Sequence, residues 1–275
     1  MKNVRLGVIG KPSDWLIASQ VDDEKAKQLG IELVHISIDE LIVLSKKQSE
    51  KPKNNAFPTG FDEKEIEKAY HIYLALKEIV SDHELDGLTV RCFDLLTTLR
   101  STSCWAFALL NREGIIATCE GDVPSMIGML FVKKILNQPT FQCNPSRLDL
   151  ANRHMIFAHC TLPLNMCDSY AFDTHYESGI GIGIKGELKE GPITIFRIDR
   201  ELRRFVLLEG AIVQNLKLEN LCRTQIDVEI KQGIQYFLRS PLGNHHLIIY
   251  GHQANKIRES LKALGLEEVR TDEEE

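Results

Sequence analysis

No stretch of this 275-residue sequence approaches the ~20 apolar residues that a membrane-spanning helix needs, and the apolar run after Met1-Lys2-Asn3 is too short for the core of a secretory leader. A soluble, cytoplasmic protein is the expectation. Basic clusters are equally scarce. No basic block is longer than two residues, as at Lys46-Lys47, and 33 Lys+Arg face 39 Asp+Glu for a net charge of −6. A phosphate-backbone binder carries a basic stripe, so neither nucleic acid nor membrane is an expected partner. The seven cysteines are odd in number, lie mostly in apolar runs and include no CxxC pair, which fits reduced thiols better than a disulfide framework or a zinc knuckle. With 43% hydrophobic and 26% charged residues, disordered and fibrous classes are excluded and a sizeable core can form. There is no internal repeat.

What is present changes texture midway. Up to about residue 138, short apolar runs with a period of two (4–10, 31–36, 87–92, 115–119) alternate with helical spacing at 22–29, 38–46, 62–80, 103–111 and 125–136, separated by a loop at 48–60. Pro124 opens the last helix, where a missing N–H costs nothing. Such alternation predicts a parallel, helix-covered, Rossmann-like sheet. After Gln138-Pro139 the runs at 140–144, 155–160, 179–185, 193–198, 205–213, 225–230 and 246–250 predict a mainly antiparallel, barrel-like β domain, closed by a helix at 255–264. The expected division is 1–138 and 139–275. Gly179, Gly181 and Gly183 alternate with isoleucines, and that period argues for a strand rather than a phosphate loop. The acidic end, from Glu267-Glu268 to Glu273-Glu274-Glu275, reads as a solvated tail.

Polar side chains gather in few places. Thr118-Cys119-Glu120-Gly121-Asp122 follows the fourth strand, and ligands of open α/β sheets bind outside the carboxyl ends of strands. Two carboxylates there can hold a cation or move protons, although Asp122 is also placed to cap the Pro124 helix. A second cluster comprises Cys143-Asn144-Pro145-Ser146 with His159. A third is Asp173 to Gly179, containing His175 and Glu177. A fourth is Gly243-Asn244-His245-His246; neighbouring histidines on a strand point to opposite faces, so at most one faces a given site. Any one of these histidines alone is more often a satisfied structural residue than a ligand.

Taken in order, Leu88-Thr89-Val90-Arg91-Cys92-Phe93, the Cys104 helix, Gly114 to Asp122, Ala158-His159-Cys160, His175-Tyr176-Glu177-Ser178-Gly179 and Gly243 to Gly251 resemble the blocks of the L-fucose isomerase / L-arabinose isomerase family across most of the chain. The resemblance is to the second α/β domain and the C-terminal domain of those enzymes, without their N-terminal domain. It implies an aldose–ketose isomerase working on a small sugar through an ene-diolate, with a divalent metal, Mn²⁺ or else Mg²⁺, in a homo-oligomer, a trimer or hexamer, with sites near subunit contacts. By position it implies metal ligands at Glu120, Asn144, His159 and the His245-His246 pair. It implies proton transfer at Glu120, with Asp122 or Glu177 assisting, and sugar contacts at Arg91, Cys92, Asn144 and His175. Asn144 stands where the family has an acidic ligand; its amide can offer an oxygen but cannot exchange a proton. A catalytically silent carbohydrate-binding or regulatory protein, and a related epimerase or aldolase-type enzyme, are the alternatives.

Overall fold

The computed structural model describes residues 4–53 and 57–271. Part of the expected 48–60 loop and the acidic residues 273–275 therefore lie outside the described residues. The first half runs β1 (Val4–Ile9), α1 (Asp23–Gln28), β2 (Ile31–Ile36), α2 (Ile38–Lys47), α3 (Glu63–Asp82), β3 (Gly87–Val90), α4 (Asp94–Thr98), α5 (Cys104–Arg112), β4 (Ile116–Thr118) and α6 (Val123–Leu136). Its four strands form one parallel sheet in the order β2-β1-β3-β4. Because β1 is flanked by β2 on one side and β3 on the other, the chain reverses its direction of winding there, and the crevice lies beyond the carboxyl ends of β1, β3 and β4.

The second half contains β5 (Phe141–Asp149), β6 (His154–His159), β7 (Cys167–Asp173), β8 (Gly183–Leu188), β9 (Gly191–Ile198), β10 (Arg204–Asn215), β11 (Thr224–Ile230), α7 (Tyr236–Arg239), β12 (His246–Tyr250), α8 (Ala254–Ala263) and β13 (Glu267–Glu268). Six antiparallel strands, β11-β6-β5-β12-β9-β10, close on themselves through β10–β11 pairing. Closure consumes the exposed edges that an open sheet would leave. At the seam Gly210 pairs with Ile230, and a Cβ there would lie 2.4 Å from the Glu229 carbonyl oxygen, so only glycine allows the approach.

Helix α6 joins the two sheets. Its residues from Val123 to Val132 are all buried, the pattern of a helix surrounded by protein. It packs on β3 and β4 of the parallel sheet and on β9 and β12 of the barrel. Gly128 permits the second contact: a Cβ there would come within 2.8 Å of Leu247 Cδ1. Both apolar clusters draw residues from either side of Gln138. One contains Leu88 and Ile195, the other Leu6 and Phe205.

Three expectations need correction. The strand expected over 179–185 begins only at Gly183, because Gly179 (φ 66°) and Gly181 (φ 64°) adopt left-handed turn geometry that alternation with isoleucine does not reveal. Gly181 is pressed on Thr102, whose hydroxyl accepts from Ile182 N at 2.9 Å. Strand β8 then pairs with the unexpected β7 in a two-stranded ribbon outside the barrel. Finally, Glu267-Glu268 is no free tail: it pairs with Arg204 and Phe205, and Glu268 takes a two-pronged ion pair from Arg258 at 2.6 and 2.8 Å.

Candidate metal centre

The loop after β4 is held rigidly before it presents any side chain. Gln142, on β5, accepts from Cys119 N at 2.8 Å and donates to Cys119 O at 3.3 Å. Gly121 N donates to Val90 O at 2.9 Å, and the Ser13 hydroxyl donates to Glu120 O. Glu120 and Gly121 take consecutive left-handed conformations, φ 62° and 63°. A non-glycine residue in that region is strained and persists only where its surroundings enforce it.

This kink delivers Glu120 to two histidines from the barrel. Asn144 pairs with Ala158 and His246 with Cys143, so Asn144, His159 and His245 share one barrel end. Glu120 Oε1 lies 3.6 Å from His159 Nε2 and 3.5 Å from His245 Nε2, with ring centroids 5.2 Å apart. Both Nε2 atoms are buried and lack a hydrogen-bond partner among the described residues. A cation bonded at about 2.1 Å to each of two donors holds them roughly 3.0–3.4 Å apart, close to what is seen. In addition, Cys119, Glu120 and His159 bring ligand atoms within 4.8 Å of one another, all three residues buried.

Around these atoms stands a layer that fixes their orientation. The Thr161 hydroxyl meets His159 Nδ1 at 2.7 Å, and His245 Nδ1 donates to Asp122 Oδ2 at 2.8 Å. Asp122 also accepts from Ser125 N at 3.0 Å, Ser125 Oγ at 2.9 Å and Arg197 Nη1 at 2.8 Å. It thus caps α6 and pairs with a fully buried guanidinium at once. A Cβ on Gly243 would lie 2.3 Å from Arg197 Nη2, so glycine leaves the room that this guanidinium occupies. A carboxylate behind a ligand histidine is the arrangement that sets its tautomer in metal sites.

The electrostatics follow from this geometry. Burial alone would raise the Glu120 carboxyl, yet the His159 and His245 imidazoles outweigh it and hold the group well below the usual carboxylate range. For His245 burial works against the charged ring, but Asp122 and Glu120 prevail and hold it up at about 9. His159 is pushed down, chiefly by burial.

The remaining expected residues separate clearly. Asn144 and Glu177 line a pocket of about 610 Å³ with Glu120, Trp15, Leu16, Phe93, Pro145 and Asn244. Asn144 Oδ1 accepts from Asn244 Nδ2 at 3.3 Å, and Trp15 Nε1 donates to Glu120 Oε2 at 3.4 Å. His246 is not brought to the centre. Its Nε2 meets the Tyr236 hydroxyl at 3.0 Å, and burial keeps the ring down at about 3. Asp122 backs His245 and does not line the pocket. Arg91 binds Asp14 and Asp94 and lies over the Trp15 ring at 4.5 Å. Cys92 is buried, its sulfur 3.0 Å from Cys119 Sγ. His175 meets Ser178 Oγ at 2.9 Å and packs on Phe93, and burial holds it down at about 4.

Trp15, Gln142, Thr161 and Arg197 stand at the candidate site without having been assigned a role from the sequence, and Asn244 was named there only as a member of its cluster. Only Asn244 had a signal, as neighbour of the histidine pair.

No protein-family profile matches the chain. It is similar to the sulfoquinovose isomerase of Clostridium sp. (strain MSTE9), 23% identical over 297 aligned positions that cover 97% of this chain and 64% of that protein. The chain thus spans less than two thirds of the length of that curated relative. What it resembles, along nearly all of its own length, is a sugar isomerase.

Proposed function

We propose that this chain is a metal-dependent aldose–ketose isomerase acting on a small sugar, with a divalent cation held by Glu120, His159 and His245. One observation carries the reading: two buried imidazole nitrogens, without hydrogen-bond partners among the described residues, face a single carboxylate oxygen at 3.6 and 3.5 Å. When bound, such a cation polarises sugar oxygens and disperses the charge of an ene-diolate.

The chain's own groups do the rest. Asn144 and Asn244 offer amide donors and acceptors to hydroxyls, while Trp15 and Phe93 offer ring surface to the C–H faces of a sugar. Glu177 is the carboxylate assigned to moving a proton between neighbouring carbons. It lines the pocket half-exposed, and partial burial together with the Glu120 charge raises its carboxyl above the ordinary glutamate value, the direction that suits a group that must both take and return a proton. Mn²⁺ is the cation the family resemblance implies, with Mg²⁺ the other.

Ketose formed from aldose by metal-loaded protein tests the reading. Glu177→Gln is expected to lower turnover by about 10² or more while keeping sugar binding, and Glu120→Ala to abolish cation binding. Sugar binding without turnover in any cation would instead support a silent carbohydrate-binding protein, a reading favoured by the non-exchanging amide of Asn144. A product epimeric at C2 would indicate the related epimerase chemistry. For assembly we propose a homo-oligomer, trimer or hexamer; sedimentation showing a 31.2 kDa species at micromolar concentration would reject it.

A further inference from the structure

The donors gathered around Glu120 are not those a hard cation selects. Glu120 supplies one carboxylate, His159 and His245 two imidazoles, and Asn144, in the adjoining pocket, a neutral amide. Magnesium and manganese suit carboxylate, carbonyl and water ligands, whereas thiolate and imidazole favour zinc, cobalt and iron. Cys119 adds sulfur to the set, its Sγ within 4.8 Å of the Glu120 and His159 ligand atoms.

Two independent observations point to ligation rather than packing. The Nε2 atoms of His159 and His245 are buried, make no hydrogen bond among the described residues and are directed at the same carboxylate oxygen. And residues 119 and 120, which an unbroken strand would send to opposite faces, reach one centre because Glu120 is left-handed. Cys92 lies beside this centre, its sulfur 3.0 Å from Cys119 Sγ.

We propose that Cys119 is a metal ligand and that the centre takes a borderline divalent ion, Zn²⁺, Co²⁺ or Fe²⁺, in preference to Mn²⁺ or Mg²⁺. This rests on the metal reading given above. On binding, the Cys119 thiol proton passes to solvent and a sulfur lone pair forms the bond. Cys92 keeps its proton, and nothing is oxidised or reduced.

The test uses the whole chain freed of metal, titrated calorimetrically with Mn²⁺, Co²⁺ and Zn²⁺ and read by absorption in the Co²⁺ form. The wild type is expected to show a near-ultraviolet sulfur-to-cobalt charge-transfer band. Cys119→Ser is expected to lose that band and about tenfold or more in Co²⁺ and Zn²⁺ affinity, with Mn²⁺ affinity changed less than about twofold. Cys92→Ala keeps the band. If wild type binds Co²⁺ without the band, the proposal falls whatever the variants do. Equal weakening of all three ions in Cys119→Ser, with an unchanged melting temperature of the metal-free protein, overturns it too. If none of the ions binds, the metal reading itself has failed, an outcome distinct from the other two.

Discussion

Glu120 and Gly121 combine left-handed backbone with close packing at the candidate site. Gly121 sits at φ 63°, and a Cβ on it would lie 2.7 Å from the Lys11 carbonyl oxygen, a backbone atom that cannot swing aside. Gly121→Ala is therefore expected to destabilise the fold by about 1–3 kcal/mol in urea unfolding and to weaken cation binding, since the strain falls on the residue that positions Glu120. His245 carries a pH signature. Held up at about 9, its ring is protonated at neutral pH, and an incoming cation must displace that proton. That proton alone should make apparent affinity climb by up to about tenfold per pH unit until pH approaches 9, which calorimetric titration of Cys119→Ser, with no thiol proton to release at that position, on both sides of neutrality would check; a flat profile in that variant would remove His245 from the ligand set. Glu120 was legible in the sequence because a polar cluster at the carboxyl end of an apolar run has one common meaning in α/β sheets. Trp15 was not, because a lone aromatic in a loop shows no periodicity to reveal what it will touch.

At the scale of elements, periodicity made the four parallel strands and most of the barrel strands readable, since helix and strand repeats differ and the chain keeps to each for long runs. It failed where glycine imitated a strand at 179–182 and where β7, Cys167–Asp173, shows no clear alternation. Arg197 shows the deeper limit. On β9 it reads as one polar position in an apolar run, and only when α6 closes over the barrel does it become a fully buried cation paired with Asp122 at 2.8 Å. Removing one partner of such a pair leaves the other charge buried alone. Arg197→Met should thus cost about 3–5 kcal/mol in chemical denaturation. It should also weaken cation binding, although Arg197 reaches the candidate ligands only through Asp122 and His245. Arg197→Lys is expected to recover part of the stability, since an ammonium keeps the charge without the planar fork that reaches Asp122, Ser125 and Ala18 together.

For the molecule as a whole, we propose that the division near residue 138 marks a change of architecture within one cooperative unit. The two apolar clusters each mix residues from both halves, and α6 is buried between the sheets. A single calorimetric unfolding transition is expected; two separable transitions would show independently folding halves. Saturating cation should move that transition upward as one, by about 2.7 kcal/mol at a hundredfold excess over Kd, and chelation should reverse it. The order in which the centre assembles has a kinetic consequence. Asp122 and His245 meet across 123 residues of chain, and the His245 end of the barrel is in place only once β12 has joined β5 and β9. Long-range pairings of this kind form late, because loop closure must come first. A cation can then stabilise the finished protein without helping the transition state. It should slow unfolding while leaving the refolding rate nearly unchanged, so that the lifetime of the native state, rather than the speed of reaching it, is what the metal controls.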